Sequence, residues 1–190
     1  MARPTREEIE HNIRKAVVQT VVEQGIGSVS VGEIAKRAKV SPGTIYLHHA
    51  NKEDMLQSVY LQIKTEFHEI MIASRDEVSS EAMLRRMWFD MFEFVSTYPL
   101  DFLFIEDAGA ASVLTDKQKG DIAYMAGDIR GMVQRAIDDE TLADMAADMA
   151  VTLMVGPALL LAKRMSASRE EQDQALINQT FDRVWLSVKK

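Results

Sequence analysis

The chain has 190 residues and a mass of 21.4 kDa, with 47% hydrophobic and 27% charged residues. This composition predicts a folded protein with a substantial core, and it excludes disordered, collagenous and low-complexity chains. The absence of cysteine excludes disulfides and thiolate chemistry and favours the reducing cytoplasm. Because the first residues lack an apolar signal region and the longest nearly apolar run, 149–162, is shorter than the ~20 residues of a membrane span, we expect a soluble, unexported protein without a membrane partner.

The charge is distributed unevenly along the chain. A net charge of −7 and a pI near 5.2 argue against a nucleic-acid partner, because basic charge is the usual mark of such proteins. Residues 1–52, however, hold eight lysines and arginines against five glutamates, whereas residues 53–190 are strongly acidic. This asymmetry favours a basic N-terminal module that contacts nucleic acid, with chance clustering as the alternative.

Apolar residues recur at helical spacing along almost the whole chain, and no run alternates as a half-buried strand would, so the fold is predicted to be all-α. A division between residues 50 and 51 is predicted, giving domains 1–50 and 51–190. About nine helices are predicted, over residues 5–24, 30–38, 41–49, 51–74, 79–98, 100–111, 116–138, 142–166 and 168–190.

Two short helices near the N-terminus carry clear start signals. Ser30 and Glu33 predict a capping box, and Ser41 followed by Pro42 predicts a second capped start. Two short helices joined by a tight turn, after a longer helix, are typical of a helix-turn-helix, whose second helix enters the DNA major groove. The residues expected to hold the two helices together are Ile34, Ala35, Ala38, Val40 and Ile45.

The segment SVSVGEIAKRAKVSPGTIYLHHANKEDML resembles the DNA-binding domain of the TetR family of transcriptional regulators, and the resemblance extends over about residues 5–56. It implies that the third helix reads an operator, that the larger helical body binds a small apolar or amphipathic effector, and that the last two helices form a homodimer. Residues typical of the family are found at Ser41, Gly43, Thr44, Tyr46, His48 and Lys52.

Three positions depart from the family pattern. Leu47 replaces the usual second aromatic residue, His49 a phenylalanine and Ala50 a common lysine, so Leu47 is expected to meet a thymine methyl group and His49 to make the hinge below it sensitive to pH. The DNA-binding residues predicted from the motif and the resemblance together are Ser30, Ser41, Pro42, Gly43, Thr44, Tyr46, Leu47, His48 and Lys52.

The body contains most of the twelve methionines, and flexible thioether side chains suit the wall of an adaptable ligand pocket, although apolar residues at helical spacing are more often plain core. The predicted ligand-binding residues are Trp88, Phe92, Phe102 and Met125. The last two predicted helices carry more apolar residues than one buried stripe requires, which indicates a two-fold interface. Its predicted residues are Leu153, Gly156, Leu160, Phe181, Val184 and Trp185.

Enzymatic alternatives find little support in the sequence. A carboxylate-bridged di-iron bundle needs two Glu-x-x-His pairs, but the chain has one, at Glu8 and His11. His68 and Glu69 lack the second histidine of a zinc HExxH site, because residue 72 is isoleucine. We therefore predict a homodimeric repressor that binds a double-stranded operator and a small effector, with no catalytic residue, metal or cofactor. The alternative is a helical protein-interaction module that does not bind DNA.

Overall fold

The structure, a computed structural model, describes residues 5–168 and 173–190. The all-α prediction is confirmed, and the described residues form ten α-helices where about nine were predicted. The helices are α1 (Arg6–Gln24), α2 (Val31–Ala38), α3 (Pro42–His48), α4 (Lys52–Ile72), α5 (Ser80–Thr97), α6 (Pro99–Ile105), α7 (Ala108–Ser112), α8 (Asp116–Asp138), α9 (Ala147–Ser168) and α10 (Gln174–Val188).

Helix α1 begins and ends at strong local signals. Its start is a capping box, in which the Thr5 side chain accepts the backbone N–H of Glu8 and the Glu8 carboxylate accepts the backbone N–H of Thr5. Its end is set by Gly25, whose φ of 79° favours glycine. The face that includes Ile13 and Val17 is buried, because apolar residues three and four apart share one side of a helix.

The turn between α2 and α3 is closed by backbone hydrogen bonds. Lys39 adopts a left-handed conformation with φ 58°, and its N–H donates to the carbonyl of Lys36 at 3.3 Å, while that of Val40 donates to Ala35 at 3.0 Å. This pair of bonds is a Schellman motif. The turn lets Ile34 and Ile45 become buried together in the core of the helix-turn-helix.

One half of the predicted capping box at α2 is wrong. Ser30 Oγ accepts the backbone N–H of Glu33 at 3.2 Å, as predicted. The Glu33 carboxylate instead accepts from Gln24 Nε2 at 3.1 Å and lies 3.4 Å from Arg37 Nε. Because the long side chains of Gln24 in α1 and Arg37 in the next turn of α2 reach the Glu33 carboxylate, the Glu33 side chain turns away from the helix start.

The later helices differ from prediction at three ends. The predicted helix 100–111 is two helices, because Asp107 leaves the helical conformation and caps α7 by accepting the N–H of Ala110 at 2.9 Å. Helix α9 begins at residue 147 rather than 142, since Leu142 forms an isolated bridge with Lys189. The last helix begins at residue 174, capped by Asp173; the predicted start at residue 168 leads into residues 169–172, which lie outside the described residues.

The chain divides into two compact units. The first comprises Met1–Lys64 and Leu100–Gln118, so α6 and α7 belong with the helix-turn-helix. The second comprises Thr65–Pro99 and Lys119–Lys190. Helix α4 is continuous and contributes residues to both units. The predicted boundary after residue 50 concerns which segments bind DNA and effector, and it stays a prediction.

An aromatic cluster lies in the core of the second unit, between α5 and α10. The ring of Phe181 meets Trp88 edge-on at 5.5 Å and stacks on Trp185 at 5.9 Å. The guanidinium of Arg85 lies over the rings of Phe181 and Phe89, at 4.9 and 5.1 Å. These ring contacts fix the neighbouring faces of α5 and α10, because aromatic pairs and cation–π contacts depend on orientation as well as on buried area.

Helix α9 is unusually apolar for its exposure. Among the described residues, its segment Ala147–Ala167 is long and apolar enough to cross a membrane, by length and composition alone. This segment is longer than the run 149–162 considered in the sequence. The expectation that no apolar run is as long as a membrane span was therefore too strict, although a core helix of a water-soluble protein can have the same length and composition.

Candidate nucleic-acid interface

Helix α3 presents apolar and aromatic side chains to solvent. Leu47 is 84% exposed and Tyr46 is 56% exposed, whereas the adjacent Ile45 is buried, at 1% exposure. Ser41, Pro42 and Gly43, at the start of the helix, are also exposed. The exposed leucine and tyrosine of this seven-residue helix indicate a contact site, since large apolar side chains concentrated on one surface usually mark one.

The start of α3 is held by two side chains that were predicted to meet DNA. Ser41 Oγ accepts the backbone N–H of Thr44 at 3.1 Å. It also lies 2.9 Å from Thr44 Oγ1, and either hydroxyl can be the donor of the hydrogen bond between them. Both hydroxyls are therefore fixed in position by the helix start. Each retains hydrogen-bonding capacity, because a hydroxyl can donate one bond and accept two.

His48 is engaged with α1. Its Nδ1 lies 3.1 Å from Glu10 Oε1, and its side chain is 10% exposed. The same carboxylate accepts from Arg6 Nε at 2.9 Å, and the hydrogen bonds from Arg6 and then His48 lower the pKa of Glu10. In the structure the His48 ring joins the end of α3 to α1, and its predicted contact with DNA stays a prediction.

The junction between α3 and α4 contains a partly buried histidine. The His49 ring lies 3.9 Å from Asp54 Oδ2, and burial lowers the pKa of His49 below its usual value, against the opposing effect of the Asp54 charge. Asn51 caps α4 by accepting the N–H of Asp54 at 2.8 Å, and Asp54 accepts the N–H of Ala50 at 2.9 Å. This cap places Lys52 at the first turn of α4, half-buried, with its Nζ 3.9 Å from a Glu53 carboxylate oxygen.

The first unit contains ion pairs that were not predicted from the sequence. Arg14 of α1 donates to Asp101 of α6 at 2.6 Å, with side chains only 15% and 17% exposed. Arg37 donates to Glu23 at 2.8 Å. The Arg6–Glu10 pair has the i,i+4 spacing of a helical ion pair, which can be recognised in the sequence. By contrast, 87 residues separate Arg14 from Asp101, so no local pattern links them.

An apolar cavity of about 110 Å³ lies within the second unit. Trp88 lines it, as predicted for the ligand site. Phe92 and Met125 do not line this cavity, and Phe102 is buried in the first unit. The side chains around the cavity are all apolar, and they are Phe67, Met71, Leu84, Met87, Trp88, Met91, Ile129, Met154, Val155, Ala158 and Leu159.

Two buried nitrogens near these helices lack a hydrogen-bond partner among the described residues. One is Trp88 Nε1. The other is His68 Nε2, which lies 3.0 Å from Asp128 Oδ2 but outside hydrogen-bond geometry. A buried N–H without an acceptor is costly, so the indole nitrogen of Trp88 is a place where an acceptor would be stabilised.

The residues predicted for the dimer interface are exposed to very different degrees. Leu160 and Gly156 are exposed on α9, and Leu153 and Trp185 are partly exposed. Phe181 and Val184 are buried within their own unit. The large apolar residues exposed on α9 and α10 are Met149, Leu160 and Leu186.

The N-terminal part of the chain is similar in sequence to known regulators. Residues 13–59 match the profile described as "Bacterial regulatory proteins, tetR family". The fatty acid metabolism regulator protein of Bacillus subtilis is 43% identical over 56 residues, and the regulator AcrR of Shigella flexneri is 36% identical over 63 residues. The matches span 30% and 32% of this chain and 29% of each relative, so they concern the helix-turn-helix and its neighbours.

Solved structures resemble the chain over nearly its whole length. A TetR family transcription regulator from Marinobacter aquaeolei superposes with a TM-score of 0.84 at 22% identity, over 97% of both chains. The regulator FadR from Bacillus subtilis in complex with stearoyl-CoA superposes with a TM-score of 0.72 at 19% identity, over 92% of this chain and 96% of that one. At these identities, the likeness shows a common fold.

Proposed function

We propose that this chain, whose residues 13–59 match the profile of the tetR family of bacterial regulatory proteins, is a TetR-family regulator: a cytoplasmic repressor that binds a pseudo-palindromic operator as a homodimer. A small apolar or amphipathic effector bound in the body releases it from the operator. The observation that carries the proposal is the exposed surface of α3, where Tyr46 and Leu47 face solvent beside the buried Ile45.

Helix α3 supplies the groups that read bases. Leu47 meets a thymine methyl group, and Thr44 and Pro42 approach base edges in the major groove. Gly43 has no side chain to keep the backbone away from DNA. Its neighbourhood is open, since a Cβ added there would meet only Ser41 Oγ, at 3.7 Å.

Phosphate contacts fix the position of α3 on the duplex. Lys52 offers a charge at the N-terminal end of α4, where the helix dipole also favours an anion. Tyr46 offers a hydroxyl from the exposed face of α3, and Ser30 and Ser41 offer hydroxyls at two helix starts. His48 acts through its contact with Glu10, by holding the end of α3 against α1.

The homodimer forms through α9 and α10. The exposed Leu160 and Gly156 lie one helical turn apart on α9, and Leu186 is exposed on α10. A two-fold axis through such a surface pairs each apolar side chain with its equivalent on a second copy. Two recognition helices about 34 Å apart then fit successive major-groove turns of the operator.

The effector acts through helix α4. This helix carries Lys52 at one end and the cavity residues Phe67 and Met71 near the other. A ligand that shifts Phe67 and Met71 shifts the whole helix, because a helix moves as one packed element. A coupling free energy of about 1–3 kcal/mol lowers operator affinity roughly 5- to 150-fold.

The test is selection of duplexes from a random library, followed by anisotropy titrations of the selected duplex at several salt concentrations. We expect a pseudo-palindromic site, with log affinity falling linearly against log salt at nearly one unit per phosphate neutralised. A chain that selects no duplex, or binds duplex without salt dependence, contradicts the proposal and favours the protein-interaction module.

A further inference from the structure

The cavity in the second unit has the size and surface of a site for a small apolar molecule. Its volume is about 110 Å³, and a cavity of roughly 150 Å³ lined by aliphatic and aromatic residues stays dry and holds benzene. Its walls come from four helices of the unit, with Phe67 on α4, Trp88 on α5, Ile129 on α8 and Ala158 on α9. The cavity therefore fits about one six-membered ring or a chain of similar volume.

One wall residue also carries an unused hydrogen-bond donor. Trp88 is 5% exposed and lines the cavity, and its Nε1 has no acceptor among the described residues. Its ring contacts are with Phe92 at 5.7 Å and Phe181 at 5.5 Å, and neither offers an oxygen. A buried donor without an acceptor costs free energy, so a ligand that brings an acceptor to it is bound more tightly.

We propose that the effector is a compact, uncharged molecule, whose apolar part fills this cavity and whose acceptor oxygen receives the indole N–H of Trp88. Ketones, esters and ethers of about six to eight heavy atoms belong to this class. The role of this molecule as an effector rests on the proposed function, but its binding to the cavity does not require DNA and is measured without it.

The lining excludes two other classes of ligand. Among the described residues, no charged side chain lines the cavity, so a carboxylate or an ammonium group placed there would lose its hydration without gaining a partner. A long acyl chain also gains little, because methylene groups beyond the cavity volume stay in water and add no buried area. Affinity is therefore expected to rise with chain length only until the cavity is filled.

The first experiment follows the indole N–H signals of the ¹⁵N-labelled full chain. The sequence has two tryptophans, so two signals arise, and Trp88→Phe identifies the one from Trp88. Toluene, 2-hexanone and hexanoate are the probes. We expect saturable binding of toluene and 2-hexanone, a downfield shift of the Trp88 indole proton with 2-hexanone alone, and at least about tenfold weaker binding of hexanoate.

The second experiment measures affinity by calorimetry. In Trp88→Phe, which keeps an aromatic ring but lacks the donor, 2-hexanone is expected to bind roughly three- to tenfold more weakly, while the affinity for toluene stays within about twofold. Ala158→Leu fills the cavity and is expected to abolish binding of both probes. Circular dichroism checks that each variant is helical.

Several results overturn the proposal. These are the absence of saturable binding of toluene and 2-hexanone, hexanoate binding as tightly as 2-hexanone, and a shift of the Trp88 signal that is equal for toluene and 2-hexanone. The signal shift is measured on the unmodified chain, so it decides the matter even if Trp88→Phe does not fold. Operator selection is a separate measurement, and its failure alongside successful cavity binding would reject the proposed function while leaving the ligand class intact.

Discussion

In helix α3, Ile45 and Leu47 are two positions apart and differ from 1% to 84% in exposed fraction, whereas in the second unit the apolar residues of four helices turn inward around a cavity. The first arrangement leaves apolar surface available to a large partner. The second lines a partly open apolar cavity that a small molecule can enter. Apolar residues at the same helical spacing thus serve a core, a surface or a cavity, according to what packs against each helix.

The largest expected difference separates the two neighbours on α3. Ile45→Ala removes a buried side chain and is expected to lower the free energy of unfolding by about 2–5 kcal/mol. Leu47→Ala removes an exposed side chain and is expected to change it by less than about 0.5 kcal/mol, while weakening operator binding. Urea unfolding and duplex titrations measure both. Equal destabilisation by the two substitutions would show that Leu47 is part of the core.

Two ion pairs of equal length provide a second contrast. Arg14 and Asp101 lie 2.6 Å apart with side chains 15% and 17% exposed, and Arg130 and Asp148 lie 2.6 Å apart with side chains 58% and 76% exposed. Asp101→Asn is expected to cost about 1.5–3 kcal/mol of stability, because it leaves a largely buried guanidinium with a weaker acceptor.

Asp148→Asn is the matched control and is expected to cost less than about 1 kcal/mol, because water screens an exposed pair. Thermal or urea unfolding of both variants measures the difference. If the two substitutions had the same effect, burial would not be what gives the Arg14 pair its strength.

A smaller effect is expected at the turn of the helix-turn-helix. Lys39 holds a left-handed conformation that costs a side chain roughly 1–2 kcal/mol and costs glycine almost nothing. Lys39→Gly is therefore expected to stabilise the chain, by about 0.5–1 kcal/mol once the greater freedom of glycine in the unfolded chain is included. Lys36→Gly, in the helix before the turn, should have the opposite sign. Destabilisation by Lys39→Gly would indicate that the lysine side chain itself supports the turn.

The pH dependence of stability tests the role of His49, the partly buried histidine between α3 and α4. Burial lowers the pKa of His49 in the folded chain below its usual value of 6.5, so acidification protonates His49 in the unfolded chain first. The free energy of unfolding therefore falls as the pH drops below about 6.5, and His49→Phe is expected to reduce this loss. Urea unfolding from pH 8 to pH 5 gives the two curves. Parallel curves would mean that His49 does not contribute to the pH dependence of stability.

The sequence predicted the first unit well where the signals are local. Caps at Ser30 and Ser41, the proline at residue 42 and the apolar spacing of α2 and α3 each act within one or two helical turns. The split of helix 100–111 was missed, because Asp107 looks like any helical carboxylate until its side chain is seen to cap α7. The engagement of His48 with Glu10 was missed as well, since 38 residues separate them.

The second unit was harder to predict because helical periodicity does not tell a core from a cavity. Trp88, Phe92 and Met125 share the same spacing rules, but only Trp88 among them lines the cavity. The position of Phe102 in the first unit depends on α6 packing there, which no pattern in α6 reveals. For the interface residues, the excess of apolar character in α9 was visible, but the burial of Phe181 against Trp88 was not.

Operator affinity of Tyr46→Ala tests most directly whether the exposed face of α3 binds DNA. Tyr124→Ala is the control, because Tyr124 is an exposed tyrosine of the second unit, 75% accessible against 56% for Tyr46. With the selected duplex and fluorescence anisotropy, Tyr46→Ala is expected to raise the dissociation constant about tenfold or more and Tyr124→Ala to leave it within about twofold. Equal affinities for the two variants and the unmodified chain would contradict the assignment of α3 as the DNA-reading helix.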